Sequence, residues 1–375
     1  MDDKLKSALP DILSKLGKSD AVFKSAFVGF DACIDYIMRI VRERDGKGSA
    51  GFFSSSEEFG NFLIKLENKS CGIELQTKLS KIGGNMVIMA NALGNLNVKV
   101  ECVGTFGLPD ILPVFKTMSE NCTLHTIADT INASALEFER SKVIMFDPGP
   151  YNHLTWENIK NAMGVDRLRE MVSGKQLISF VNWSEIENSS QIWKGFLDEV
   201  FAGSENSGAK PFFFTDFSDC SRKSKQEIQY ALDLLGRFRN HFKVNLSLNQ
   251  NESELIAKAV GINAEVADEE FVKALFNVCN SDVLIIHRVN DALAYDGLSF
   301  EKCDTFLCED PAILTGGGDN FNAGFCYSLF LKLNLFQSLL LANAVSGSYV
   351  KSGISPDIAK LIRFLEQKMK YIEIH

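Results

Sequence analysis

The stretch TGGGDNFNAGFCYSLFLKL, residues 315–333, sets three consecutive glycines and an acid ahead of an apolar run that reads as a helix. Glycine leaves peptide N–H groups uncovered and tolerates positive φ, so Gly316, Gly317 and Gly318 can turn several donors toward one point. A helix starting at Asp319 or Asn320 would add its unpaired N-terminal N–H groups and its dipole at the same spot. Together these make an anion hole. A carboxylate there repels a phosphate that is merely bound. It makes chemical sense as a base that takes the proton of an attacking hydroxyl while the N–H groups hold a migrating phosphoryl group. Asp319 is therefore the candidate general base; the plainer alternative is that it caps a helix. The following helix is apolar nearly all round, which predicts that it is buried.

Positioning such a turn needs a rigid frame, and the chain supplies one. Short β-branched and aromatic runs, SAFVGF (25–30), VKVECVG (98–104), LISFV (177–181), PFFFTD (211–216), FKVNLSL (242–248) and SDVLIIH (281–287), recur between helical patterns. In SKQEIQYALDLLGRFRNHF, for example, Ile228, Leu232, Leu235 and Phe238 fall on one helix face. Strands alternating with helices predict an α/β fold, a mostly parallel sheet with helices on both faces. Two stretches break the rhythm. Arg39 to Lys81 is rich in Ser, Gly, Glu and Lys and contains FGNFLIKL, read as a surface helix in an insertion outside the core sheet. SALEFERSKVIMFDPGPY (134–151) reads as two strands joined at Arg140-Ser141-Lys142, then a Pro-Gly turn. The expectation is a single domain over 1–375, with lid or insertion segments at about 36–80 and 132–152 forming a small β-rich lid.

Composition narrows the function. With 375 residues and 46% hydrophobic content the chain can fill a large core, and its net charge of -9 argues against nucleic acid or an anionic membrane as partner. Any phosphate must be held locally. The opening MDDKLKSALPDILSKLGKSD lacks the apolar core of a secretory signal, and no run is long enough to span a membrane. Nine cysteines without a CxxC pair read as reduced thiols of a cytoplasmic protein, and Cys303 and Cys308 have no neighbouring His to complete a zinc site. Neither a P-loop nor a dinucleotide-binding G-x-G-x-x-G is present.

TGGGDNFNAGF resembles the C-terminal signature of the ribokinase-like (PfkB-type) carbohydrate kinases, D-T-x-G-A-G-D-x-F-x-x-G, with Gly316, Gly318, Asp319, Phe321 and Gly324 in register. Gly317 stands in place of the usual Ala, and the leading Asp is missing. KIGGNMVIMANALGNLNVKVECVGTFG resembles the N-terminal signature of the same family, and the resemblance runs from about Ala26 to Gly353. It implies a phosphotransferase that moves the terminal phosphoryl group of a nucleotide to a hydroxyl of a sugar, nucleoside or related small molecule. The implied sugar site is Asp35, with Asp31 as a rival, together with Gly83, Gly84 and Asn85. In NQNESELI the implied magnesium-organising pair is Asn251 and Glu254, although Asn249 and Glu252 have the same spacing. Asn343, in ANAVSGSYVKSG, is the implied contact of the adenine pocket. One stretch departs from the family: LIIHRVNDALAYDG has no glycine where ATP-using members carry a Thr-x-Gly-x-x-Gly turn, and His287 is the candidate nucleotide contact there. ATP with Mg2+ is the expected donor. ADP stays open, because GFDACIDYI and the strand ending in His resemble the ADP-dependent branch. Two further readings stay open, a non-catalytic sugar- or nucleotide-binding relative and, more distantly, an NAD-dependent oxidoreductase. The oligomeric state stays open, with a homodimer through the lid hairpin as the candidate assembly.

Overall fold

The apolar runs of the sequence become strands of one nine-stranded sheet. The computed structural model describes residues 2–18, 23–139, 141–203, 208–313 and 315–374. Its strands are β1 Ser25–Phe30, β2 Cys33–Arg44, β3 Ala50–Phe52, β4 Leu75–Gly83, β5 Lys99–Gly104, β6 Cys122–Thr126, β7 Ile131–Glu137, β8 Lys142–Phe146, β9 Leu177–Phe180, β10 Phe212–Asp216, β11 Lys243–Asn249, β12 Val283–His287, β13 Asp291–Tyr295 and β14 Phe300–Asp304. The large sheet has the order β14-β13-β12-β11-β10-β9-β1-β5-β6. All its pairings from β12 to β6 are parallel, and only β13 runs against the rest, antiparallel to both β12 and β14. β1 and β9 are buried along their whole length, as strands covered on both faces must be.

Two apolar clusters lie on opposite faces of this sheet. One gathers the helices Asn85–Asn95, Gly317–Phe330 and Leu335–Ser352; the other gathers Lys225–Phe238, Gln250–Val260 and Asp268–Cys279. The amphipathic helix anticipated at Ile228, Leu232, Leu235 and Phe238 is the first of the second group, with all four buried. It opens on a capping box in which Ser224 and Glu227 satisfy each other's backbone N–H groups.

The lid is a second sheet, β3-β2-β7-β8 with β4 also on β2. It begins at Cys33, earlier than the composition of the chain suggests, because β2 leaves the core directly as a twelve-residue strand. The segment read as an insertion outside the core sheet therefore supplies the end of β2, β3 and most of β4, and the surface helix expected within it spans Ser56–Ile64. β7 and β8 form the antiparallel hairpin expected around 140; Arg140 itself lies outside the described residues. Among the described residues, no helix is long and apolar enough to cross a membrane.

Candidate active site

In an open parallel sheet the carboxyl ends of the strands, where strand order reverses, form the natural crevice for a ligand. Here the reversal lies at β1, flanked by β5 on one side and β9 on the other. Asp31 follows β1, Asn182 stands just beyond β9, Asp216 ends β10, Asn249 ends β11 and His287 ends β12. The sequence order scatters these residues, and the sheet brings them to one edge.

Asp31 and Asp35 take different parts. Asp31 is fully buried and accepts from the backbone N–H of Asn85 (2.7 Å), from that of Met86 (3.0 Å) and from Asn182 Nδ2 (3.0 Å). It anchors the N-terminus of the Asn85–Asn95 helix, and burial pushes its carboxyl up to about 7. Asp35 instead pairs with Lys81 of the lid at 3.4 Å. The two glycines are fitted to these acids. A Cβ at Gly83 would lie 2.3 Å from Asp35 Oδ1, and one at Gly84, whose φ is +90°, would lie 2.7 Å from Asp31 Oδ2. Any side chain there would displace both carboxylates.

Asp31, Asp35, Gly84, Asn85, Asn182, Ser218 and Asp319 line a cavity of about 490 Å³ closed above by Ile144 and Phe146 of the lid. Asn182 was not singled out in the sequence, yet it is the best-defined ligand-facing group. It is buried and adopts φ +61°; its N–H donates to Asp216, its Nδ2 donates to Asp31, and its Oδ1 has no partner among the described residues. A buried acceptor left open at a cavity wall is suited to a substrate hydroxyl. Asp216 holds Asn182 and also accepts from Asn322 Nδ2 at 2.8 Å, and burial raises its carboxyl to about 6.

The glycine turn divides this cavity from a second one. The helix starts at Gly317, earlier than Asp319, with Gly316 as N-cap at φ +92°, where a Cβ would meet the Tyr349 hydroxyl at 2.9 Å. Two of the glycines thus form the first helical turn. The N–H groups of Gly317, Gly318 and Asp319 have no acceptor among the described residues, while Asn320 N–H already bonds Gly316 C=O. Asp319 makes no capping bond. Its carboxylate faces the first cavity beside Thr315, whereas Gly317 and Gly318 line the second. Burial, then the charges of Asp216, Asp31 and Asp35, hold Asp319 well above the usual carboxylate range, and Lys81 opposes them.

The second cavity, about 470 Å³, is bounded by Asn249, His287, Val289, Phe306, Asn343 and Val350 among others. Asn343 is fixed in the wall, with Nδ2 donating to the carbonyls of Cys303 (3.2 Å) and Asp304 (3.1 Å). His287 packs against Phe321 with ring centroids 5.1 Å apart and planes tilted by 36°, and burial lowers its imidazole to about 4, so it is neutral at physiological pH. The glycine-free turn after it is a tight hairpin connection. Arg288 N–H bonds Asp291 C=O at 2.8 Å, and the Arg288 guanidinium is clamped between Asp291 and Asp268. Ion pairs hold this turn, and its cation is spent on them.

The acids of NQNESELI fall on opposite sides of their helix. Asn251 reaches the rim of the second cavity, but Glu254 is exposed and, among the described residues, accepts only from Gln250, away from the cluster. Glu252 is buried in a capping box with Asn249; burial and then the Asp216 charge push its carboxyl up to about 8. The geometry brings together Asn249, Glu252 and Asp216, and leaves out the Glu254 expected from the resemblance. The missed signal was the capping-box spacing itself, which fixes the helix phase.

Residues 2–368 match the model of the prokaryotic ketohexokinase family. The chain belongs to that family. A ketohexokinase of Haloferax volcanii is 24% identical over 353 residues, covering 92% of both chains. Among solved structures, a ribokinase of Arabidopsis thaliana complexed with ribose and ATP shares the fold at a TM-score of 0.64 and 14% identity, over 92% of this chain and 99% of that one. A nucleoside kinase of Methanocaldococcus jannaschii, an archaeal member of the ribokinase family, does so at 0.59 and 13%, again over 92% and 99%. This member of the prokaryotic ketohexokinase family is thus a ribokinase-like carbohydrate kinase.

Proposed function

We propose that the chain transfers the terminal phosphoryl group of ATP to a hydroxyl of a ketohexose, with Asp319 as general base. One observation carries the reading: a helix N-terminal turn with open N–H groups forms the common wall of two cavities, with its acid on one side and its glycines on the other. The first cavity suits a neutral polyol. Asp31, Asp35, Glu185, Asp219 and Asp319 face it, and its cation Arg222 is paired with Glu185. The names of the family and of the Haloferax relative support a ketohexose over other polyols.

In this mechanism Asn182 Oδ1 and Asp35 orient the sugar, Asp319 accepts the proton of the attacking hydroxyl, and the turn 316–319 holds the charge of the group in flight. The Asn249, Glu252 and Asp216 cluster fits a magnesium ion. Both carboxylates are buried and raised chiefly by burial, with the Asp216 charge adding to the shift of Glu252, and magnesium takes one or two carboxylates beside substrate phosphates rather than a protein cage. When bound, the ion would neutralise phosphate charge. Asn343 and His287 are assigned to the nucleotide wall. Exposed Leu75, Leu79, Val143 and Met145 on β4 and β8 would be covered in a homodimer through the lid.

The test is a panel of ketoses, aldoses and nucleosides incubated with ATP or ADP and Mg2+, with products identified by mass. A ketohexose phosphate formed from ATP is expected. Turnover restricted to aldoses or nucleosides, or to ADP, would overturn the assignment, and no product with any pair would favour a binding protein. The metal site makes its own prediction. Glu252→Gln should raise the Mg2+ concentration for half-maximal rate by about tenfold, and Glu254→Gln should leave it unchanged. The reverse pattern would restore the Asn251 and Glu254 register.

A further inference from the structure

Lys142 is the first residue of β8, next to the turn of the lid hairpin, opposite Glu137 of β7. Its Nζ reaches from the lid to the core domain and donates to Thr315 Oγ1, a residue of the first cavity's lining, at 2.7 Å, one residue before the glycine turn. That turn is held from the protein side: the Tyr349 hydroxyl donates to Thr315 C=O at 2.8 Å and Ser346 Oγ to Gly317 C=O at 2.9 Å. Lys142 is its contact from the lid.

The cations near the site are not equivalent. Lys81 is paired with Asp35, Arg222 with Glu185, and Arg288 with Asp268 and Asp291. Lys142 has no carboxylate within ion-pair distance among the described residues, and its hydrogen bond there is to a neutral hydroxyl. A hydroxyl is a weak partner for an ammonium and is exchanged readily for a phosphate oxygen. Lys142 is exposed as a residue, yet its amine is desolvated enough to pull the pKa down and feels the charges of Asp35, Lys81 and Asp319, which puts it within reach of the acids of the first cavity.

We propose that Lys142 is a catalytic residue, whose ammonium exchanges Thr315 Oγ1 for an oxygen of the transferring phosphoryl group when both substrates are bound. This rests on the kinase reading given above. The hydroxyl oxygen of the sugar forms a bond to Pγ, the bond from Pγ to the bridging oxygen breaks, the hydroxyl proton passes to Asp319, and ADP departs. Negative charge on the oxygens of the group in flight is met by the N–H groups of the turn from below and by Lys142 from the lid. Because β8 carries this cation, full stabilisation arises only with the lid over the sugar, which disfavours transfer to water.

The experiment compares wild type, Lys142→Met and Lys142→Arg in steady-state kinetics and in binding of two nucleotide complexes with sugar present. One is ADP with aluminium fluoride, which mimics the transferring group, and the other is a non-hydrolysable ATP analogue. Lys142→Met is expected to lower kcat about 100-fold with sugar KM within a few-fold, and to weaken the aluminium fluoride complex by a like factor while sparing the ATP analogue. Lys142→Arg should recover part of kcat. A Lys142→Met variant with wild-type kcat, or one that loses both complexes and melting temperature together, overturns the proposal in favour of no role or a purely structural one. A wild type that transfers phosphate from no nucleotide sinks the kinase reading and Lys142 with it, whereas an active wild type with an unaffected variant sinks Lys142 alone.

Discussion

Asp319→Asn is expected to lower kcat by about 10³-fold or more while leaving nucleotide affinity and melting temperature at or above wild type. Asparagine fills the same space, so the helix from Gly317 and its open N–H groups persist; only the proton acceptor is lost. Stability is not expected to fall, because Asp319 makes no capping bond and lies in the fields of Asp216, Asp31 and Asp35, which disfavour its charge. The pH profile gives a second readout. A base acts deprotonated, and burial beside like charges raises its pKa, so wild-type kcat/KM should climb as pH rises through that raised value. The residual activity of the variant should lack this limb. A variant with near wild-type turnover, or with the same acid limb, would remove Asp319 from the base role.

The parts of this site that could be read from the sequence were those written as contiguous patterns. The six apolar runs became strands within a residue or two, because strands buried on both faces are simply apolar. The glycine turn was legible because its residues stand together in the sequence and fall in register with a family signature, which a loop with a capping Asp alone would not require. Of the lid, the β7–β8 hairpin was legible too, but β2, β3 and β4 were not. β4 is exposed over most of its length, and β2 mixes buried and half-buried positions, so neither carries the contrast on which pattern reading depends. Glu254 was preferred over Glu252 by analogy of motif, but two residues along a helix turn a side chain by about 200°, and the phase is set by Asn249 as cap. Asn182, Asp216 and Lys142 lie far apart in the chain and meet only through sheet order and lid closure. Asp216 alone left a trace, a polar residue closing the apolar strand PFFFTD at the carboxyl edge where ligands bind.

The same buried acids predict that the ligand-free protein loses stability as pH rises from about 5 to 8. Asp31, Asp216 and Glu252 are raised to about 7, about 6 and about 8 from ordinary values of 3.8, 3.8 and 4.5, in each case chiefly by burial. A raised carboxyl binds its proton more tightly folded than unfolded. Its contribution is therefore fully present below the unfolded pKa and is lost as pH climbs through the folded one. Groups such as Asp268, held low by Arg288 and Lys302, act in the opposite sense and lose their contribution on acidification, so stability should peak near pH 5. A tenfold difference in proton affinity between the folded and unfolded chain is worth about 1.4 kcal/mol, and three such groups should lower the melting temperature by roughly 10 °C between pH 5 and 8. Mg2+ with nucleotide should restore most of this at pH 8, because a cation relieves the charges that burial penalises. Glu252→Gln should flatten the slope. A melting temperature that is constant or rises over this range, measured without ligand, would mean that these carboxylates are already compensated and that the cluster is not built to await a cation.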